Sequence, residues 1–282
     1  MALESRSCAA SIDPAKGRKF IPEMSGKADK NMRLKNIPVL FSLVFLCSLD
    51  ALAQTSRGFD LDLIANAAQA ANPITVDAKT FSFKTGFVGL RAAYGGEKWG
   101  RVHLQYGVAY LPSQSASFHD ANLSGAISAQ SIGYGYTYPI EFEGTPFSLD
   151  LSIDNVTTEH SGNDFTGTHN SNNVNASVDA TSDFTRSSVA LNYALDEETI
   201  ITLGAGALKW EIDAAASGKR TDMNVTFKTD IKASGNDLFY FVESSFPLAG
   251  RPVKLGYRRS NLDTGVSNTL NEIYVEVSGD FF

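Results

Sequence analysis

The chain has 282 residues, a net charge of −7 and two cysteines, Cys8 and Cys47. From residue 54 onward there is no cysteine, which excludes a disulfide framework, a cysteine nucleophile and a cysteine-ligated metal there. That stretch carries 26 acidic and 16 basic residues, a net of −10, which argues against nucleic acid as a partner.

In chain order, residues 1–31 are mixed in charge, poor in apolar residues and without periodicity. They read as an unstructured leader or a mis-called start. Met32-Arg33-Leu34-Lys35-Asn36 then supplies a short basic start, residues 37–49 (IPVLFSLVFLCSL) an apolar run, and Ala51-Leu52-Ala53 a small-residue cleavage site. These are the three parts of a secretory signal peptide, assigned to 32–53. The run is shorter than the roughly 18 to 20 residues a membrane-spanning helix needs. Val44-Phe45-Leu46 lacks the small residue of a lipoprotein site before Cys47. Residues 54–282 are expected to form the mature domain. No segment there approaches the length of a spanning helix, which leaves strands as the means of crossing a membrane, at about 9 to 11 residues each.

The mature stretch is dominated by period-2 alternation, the pattern of strands whose successive side chains face opposite sides. In Phe147-Ser148-Leu149-Asp150-Leu151-Ser152-Ile153-Asp154 every odd position is large and apolar and every even one is Ser or Asp. Val102, Leu104, Tyr106, Val108 and Tyr110 alternate with His103, Gln105, Gly107 and Ala109. Ile132 to Ile140, Val189 to Leu195 and Ile273 to Phe281 follow the same rule. Residues 62–71 (DLIANAAQAA) admit a short helix, weakened by Asn66 and the following Asn72-Pro73.

The connections alternate in length. Those at 95–100, 141–146, 196–199 and 249–252 are short, and the stretches between are long and polar, the longest being 157–181. Short turns on one side and long loops on the other are the habit of transmembrane barrels. Ten strands are predicted near 58–66, 79–94, 101–112, 124–140, 147–159, 184–195, 200–213, 237–248, 253–263 and 270–282, with eight or twelve also compatible. The alternating residues 225–231 suggest that the eighth strand begins early, in a hairpin above the membrane. Phase slips in 79–94 and 200–213 suggest bulges. Tyr94, Trp99, Tyr138, Phe147, Tyr193, Phe246 and Phe281 fall near the short turns, where an aromatic girdle belongs. A soluble β-sandwich shows the same alternation. The export signal, the loop lengths and the terminal aromatic favour an all-β fold, a transmembrane antiparallel up-and-down barrel.

The last strand, Ile273, Val275, Val277, Gly279, Phe281 and Phe282 with Tyr274, Glu276, Ser278 and Asp280 between, resembles the closing strand of the bacterial outer-membrane β-barrel superfamily. The apolar phase ends on Phe281, with Phe282 one step beyond. The resemblance implies a Gram-negative outer-membrane location and recognition of these residues by the barrel-assembly machinery. It implies lipid and lipopolysaccharide as surroundings. Asp60-Leu61-Asp62 is similar in spacing to the Asp-x-Asp pair of the omptin proteases, which are also ten-stranded, but no Asp-x-His follows it.

The polar phase of the strands is expected to line the lumen with Asp60, Asp62, Arg91, His103, Gln105, Asp150, Asp154, Asn192, Glu243, Lys254, Arg258 and Glu276. Mixed signs predict a charged, largely filled interior, since a barrel of about eight strands is closed by side chains and wide channels come near 16. His119-Asp120 and Glu159-His160-Ser161 contain the residue types of acyl hydrolysis, and the 157–181 stretch is a candidate surface for binding. Solvated histidines and a flexible polar loop explain these features as well. No cofactor or metal motif is present. The expected protein is monomeric and non-enzymatic, in a structural or narrow porin-like role. A rim hydrolase and an adhesive surface protein are the alternatives.

Overall fold

The computed structural model describes residues 58–279, except 77–78, 82–83, 97–98, 119–120, 170–171, 221–225 and 264–267. The expected leader, the signal peptide, His119, Asp120, Phe281 and Phe282 lie outside the described residues.

The described residues form one antiparallel sheet closed into a ring. Its long strands are β1 (Phe59–Ala70), β4 (Lys84–Gly96), β5 (Gly100–Phe118), β6 (Ala121–Glu141), β7 (Phe147–His169), β8 (Asn172–Ala194), β9 (Ile200–Arg220), β10 (Thr226–Leu248), β11 (Arg251–Asn261) and β12 (Thr269–Gly279). Each pairs with its neighbour in the chain, and β1 closes the ring against β12 from Leu61↔Gly279 to Ala70↔Leu270. A short hairpin, β2 (Ile74–Val76) and β3 (Lys79–Phe81), leaves the top of β1 and pairs with the upper part of β5 through Thr80↔Ser117. The ring therefore has ten strands, as predicted. The helix admitted at 62–71 is strand instead, because both edges of β1 are occupied by β12 and β4 and tertiary pairing overrides the helix propensity of alanine.

The short connections all lie at one end. Asp196 caps one of them by accepting hydrogen bonds from the amides of Glu198 (2.9 Å) and Thr199 (2.7 Å). In another, Ala249 and Gly250 both have positive φ, 52° and 77°. This is the handedness a two-residue hairpin turn requires.

The other end departs from expectation. The stretch 157–181 is not a solvated loop, since β7 and β8 continue through it and pair up to His169↔Asn172. The same holds for β9 and β10, which pair up to Thr226↔Lys219. The early start expected for the strand after residue 225 is part of this hairpin. The phase slip at 200–213 is not a bulge either, because the β8–β9 register runs without interruption. The apolar residues change face instead. Low on β9, Ile201 and Leu203 point outward and are exposed, whereas higher up Leu208, Trp210 and Ile212 point inward and are buried. Strand β8 changes from outward Tyr193, Leu191 and Val189 to inward Phe184, Val178, Ala176 and Val174, and β10 from outward Val242, Tyr240 and Leu238 to inward Phe239, Ala233 and Ile231. The switch marks the level at which hydrocarbon outside gives way to water. The register breaks that do occur lie between Leu111 and Gln114, Ser124 and Ser128, and Gly162 and Phe165, all in the upper wall. The predicted 79–94 strand is divided between β3 and β4.

Above the switch the wall surrounds an apolar core. Trp210, Phe165, Leu208, Ile212, Ile231 and Val174 are among its most buried wall residues. Ile74 and Leu262, both at 0% exposure, enter it from the two connections that cap the top. A reciprocal pair fastens these connections. Asn72 donates its backbone amide to Asn268 Oδ1 (3.1 Å), and Asn268 Nδ2 donates to the Asn72 carbonyl (2.8 Å). Trp210 Nε1 and the Asp263 amide both donate to Asp237 Oδ2.

His160 lies in this upper wall, beyond Asn155, the first polar outward residue of β7. It is 5% exposed, with Nε2 3.2 Å from Thr85 Oγ1. Burial pushes its imidazole from the ordinary 6.5 down to about 4, and a hydrogen bond with the Ala180 backbone opposes this only in part. Because the folded state rejects a proton that the unfolded state accepts, its stabilising contribution is complete above pH 6.5. That contribution declines as the pH falls toward 4. Between pH 7 and 5 the upper wall should lose about 2 kcal/mol by this route. Native-state proteolysis of the β7–β10 hairpins should therefore accelerate at pH 5 in the wild type and much less in His160→Gln. Equal acceleration in both would remove His160 from the account.

Candidate functional site

Below the apolar core the lumen opens into a polar cavity of about 460 Å³. Its lining runs from Asp60, Arg101 and Thr137 near the short turns up to Phe184, Phe239 and Leu270 beneath the core. Of the twelve residues expected inside, eleven line this cavity: Asp60, Asp62, Arg91, His103, Gln105, Asp150, Asp154, Glu243, Lys254, Arg258 and Glu276. Asn192 stands behind them. It donates to Asp150 Oδ2 (2.9 Å) and Ser148 Oγ (3.2 Å) and accepts from Thr202 Oγ1 (2.7 Å).

Strand alternation brings the charges inward, and ring curvature brings them together. Glu272 on β12 receives Arg186 Nη2 from β8 at 3.1 Å and Arg258 Nη1 from β11 at 3.0 Å. Asn66 of β1 donates to its other oxygen at 2.9 Å. The Arg258 guanidinium also lies 4.9 Å from the Tyr274 ring and under 6 Å from those of Phe239 and Phe241, within cation–π range. Nearer the turns, Arg91 pairs with Glu276, Arg101 with Asp60, and Lys254 with Glu243 at 3.9 Å. Glu243 also accepts from the Tyr274 hydroxyl at 2.6 Å. His103 Nε2 lies 3.0 Å from Asp154 Oδ1. That pair needs a strand without a side chain beside it, because a Cβ on Gly135 would stand 2.2 Å from Asp154 Oδ1 and 2.5 Å from the His103 ring.

Five contributors were not singled out from the sequence: Asn66, Arg101, Arg186, Glu272 and Tyr274. Glu272 shares the phase of Glu276, and Arg186 that of Asn192, so parity alone would have placed both inside. Their convergence across the lumen has no sequence signal. Asp60 and Asp62, spaced as in the omptin pair, both line the turn-side cavity and not the opposite rim. His160 diverges from Glu159 and Ser161, which share the outer face of β7. His160 faces the interior, while Ser161 faces outward and bonds to Asp179 (2.8 Å). Among the described residues no cluster of His, Cys, Asp and Glu is arranged to hold a metal ion.

The buried network depends on Glu272, whose side chain is 6% exposed. Glu272→Ala would leave two guanidiniums facing each other without their carboxylate. It should cost about 3–5 kcal/mol of folding free energy, as loss of one partner from a buried ion pair does. Urea unfolding followed by tryptophan fluorescence measures this, and a loss below about 1 kcal/mol would mean solvent already screens the triad.

No family model matches the chain, and no curated protein matches it in sequence. Solved structures do match in shape. The translocator domain of the autotransporter NalP from Neisseria meningitidis has 12% identity and a TM-score of 0.46, covering 87% of this chain and 98% of that one. The outer membrane protease OmpT from Escherichia coli has 8% identity and a TM-score of 0.49, covering 80% and 96%. The attachment invasion locus protein Ail of Yersinia pestis has 8% identity and a TM-score of 0.33, covering 79% and 99%. The conclusion about this chain rests on its own geometry. A closed, even-stranded ring satisfies every backbone group within itself. Its lower exterior is a belt of exposed Val, Leu and Ile, edged near the turns by Tyr94, Trp99, Tyr138, Phe147 and Tyr193, and its lower interior is charged. Such a chain has the build of an integral transmembrane β-barrel of the outer-membrane type.

Proposed function

We propose that this barrel is closed to solutes and acts without catalysis, holding a rigid β-sheet wall above the membrane as a surface for binding. One observation carries the reading. The lumen above the charged cavity is occupied by the apolar core around Trp210, Leu208 and Ile212, sealed by Ile74 and Leu262. A solute moving up the cavity meets packed aromatic and aliphatic side chains, with too few polar groups among them to replace its hydration. This favours the structural and surface-binding readings over the narrow porin-like one.

The continuation of β7 and β8 through the expected loop also supports the reading. A paired strand presents side chains in fixed positions, at less ordering cost on binding than a flexible segment. The divergence of His160 from Glu159 and Ser161 supports a non-enzymatic role.

Planar-bilayer recording tests the proposal. The wild-type protein, shown to be inserted by its heat-dependent gel mobility, should give no discrete conductance steps. Trp210→Ser with Phe239→Ser replaces two buried rings with hydroxyls and empty volume, and should give brief openings. Regular salt-dependent steps from the wild type would overturn the proposal and restore a diffusion path.

A further inference from the structure

The outward face of the ring carries a second feature, unrelated to the lumen. On each strand the apolar belt ends upward at a first polar outward residue. On four adjacent strands, β4, β1, β12 and β11, these residues are Lys84, Gln69, Asn271 and Arg259. The register places them in one continuous row, through Gln69↔Lys84, Gln69↔Asn271 and Arg259↔Asn271.

Lys84, Gln69 and Arg259 are exposed and make no ion pair or hydrogen bond among the described residues. Asn271 accepts the Tyr257 hydroxyl on its oxygen at 2.8 Å, which leaves its amide nitrogen to donate. The row thus has two cations at its ends and two amides between. The cations are separated by three strand spacings, about 14 Å. Directly below stand Gly86, Ala67, Ile273 and Tyr257, the top of the lipid-facing belt. Asp263, on the connection above β11, is exposed on this side, whereas other outward carboxylates above the belt lie elsewhere on the ring, among them Asp179 and Asp183 on β8, Glu211 and Asp213 on β9 and Asp230 on β10. Lys232, by contrast, is already paired with Asp213.

We propose that this row docks the headgroup of an outer-leaflet glycolipid of the lipopolysaccharide type. Its two phosphates would meet Lys84 and Arg259, its sugar hydroxyls and amides would meet Gln69 and Asn271, and its acyl chains would descend over Gly86, Ala67 and Ile273. Charge complementarity selects the ligand. Two separated cations with polar donors between them fit a bis-phosphorylated sugar better than a single-phosphate glycerolipid. The position at the upper edge of the belt selects the leaflet. Desolvated partly by the bilayer, each cation contributes to holding an anionic headgroup. The inference is independent of whether the lumen conducts.

Native mass spectrometry of the protein refolded in detergent tests it, with bis-phosphorylated lipid A as the probe and dephosphorylated lipid A and phosphatidylglycerol as comparators. The wild type should retain bis-phosphorylated lipid A preferentially. Lys84→Gln with Arg259→Gln should weaken retention about tenfold, and each single variant by less. Lys209→Gln, which removes an exposed cation beside Glu211 on β9, outside the row, should leave retention unchanged. Folding of every variant is checked by gel mobility, and the single variants decide the matter if the double one does not fold. Equal retention by wild type and the Lys84/Arg259 variants would overturn the proposal. So would equal retention of phosphorylated and dephosphorylated lipid A, a preference for phosphatidylglycerol, or an equal loss on Lys209→Gln.

Discussion

Backbone amides in hydrocarbon have no water to bond with, and each one left unpaired costs several kcal/mol. Ring closure between β1 and β12 answers that requirement, and the rest of the molecule follows from it. Once Leu61–Ala70 is paired with β12 on one side and β4 on the other, no edge remains within the belt. Every strand must then alternate between lipid and lumen. The lumen of a ten-stranded ring is narrow, so the side chains directed into it reach one another across the axis. This is why Arg186, Arg258 and Glu272, from three different strands, form one ionic group.

The same closure gives the protein two kinds of interior. Within the bilayer the solvent outside is apolar, so Val, Leu and Ile stand outside and charges stand inside. Above the bilayer the solvent is water, and the order reverses. The β8–β9 and β9–β10 pairings run through both zones without a break, and these strands change the face that carries their apolar residues. The upper half is therefore organised like a soluble β-sheet domain around Trp210, fused to a membrane barrel below it. The polar cavity ends where the apolar core begins.

Charge is also divided around the upper rim. The tall side, β7 to β10, carries the outward carboxylates and extends away from the membrane. The short side, β11, β12, β1 and β4, carries Arg259 and Lys84 at the edge of the belt, and no carboxylate stands in their row. A tall acidic wall suits contact with soluble or surface partners, and a low basic edge suits contact with anionic lipid.

Much of this was legible in the residues themselves. Period-2 alternation and the spacing of short turns disclosed ten strands, their direction and the polar phase facing the lumen, because those properties depend only on neighbours along the chain. The upper wall was misread. Asn, Ser, Thr and Gly between 157 and 181 have the composition of a loop, and their strand character comes from pairing with β6 and β9, which no local signal records. The phase change in 200–213 looked like a bulge because alternation was followed on one face, although the solvent outside that face changes. Residues 62–71 were ambiguous for a similar reason, since an alanine-rich segment becomes strand only when strands on both sides bind its backbone. Sequence determined which residues alternate and where the chain turns. Tertiary structure decided which residues meet across the lumen, where the apolar core closes it and which polar groups align on the rim, because those relations depend on ring curvature and register between strands distant in the chain.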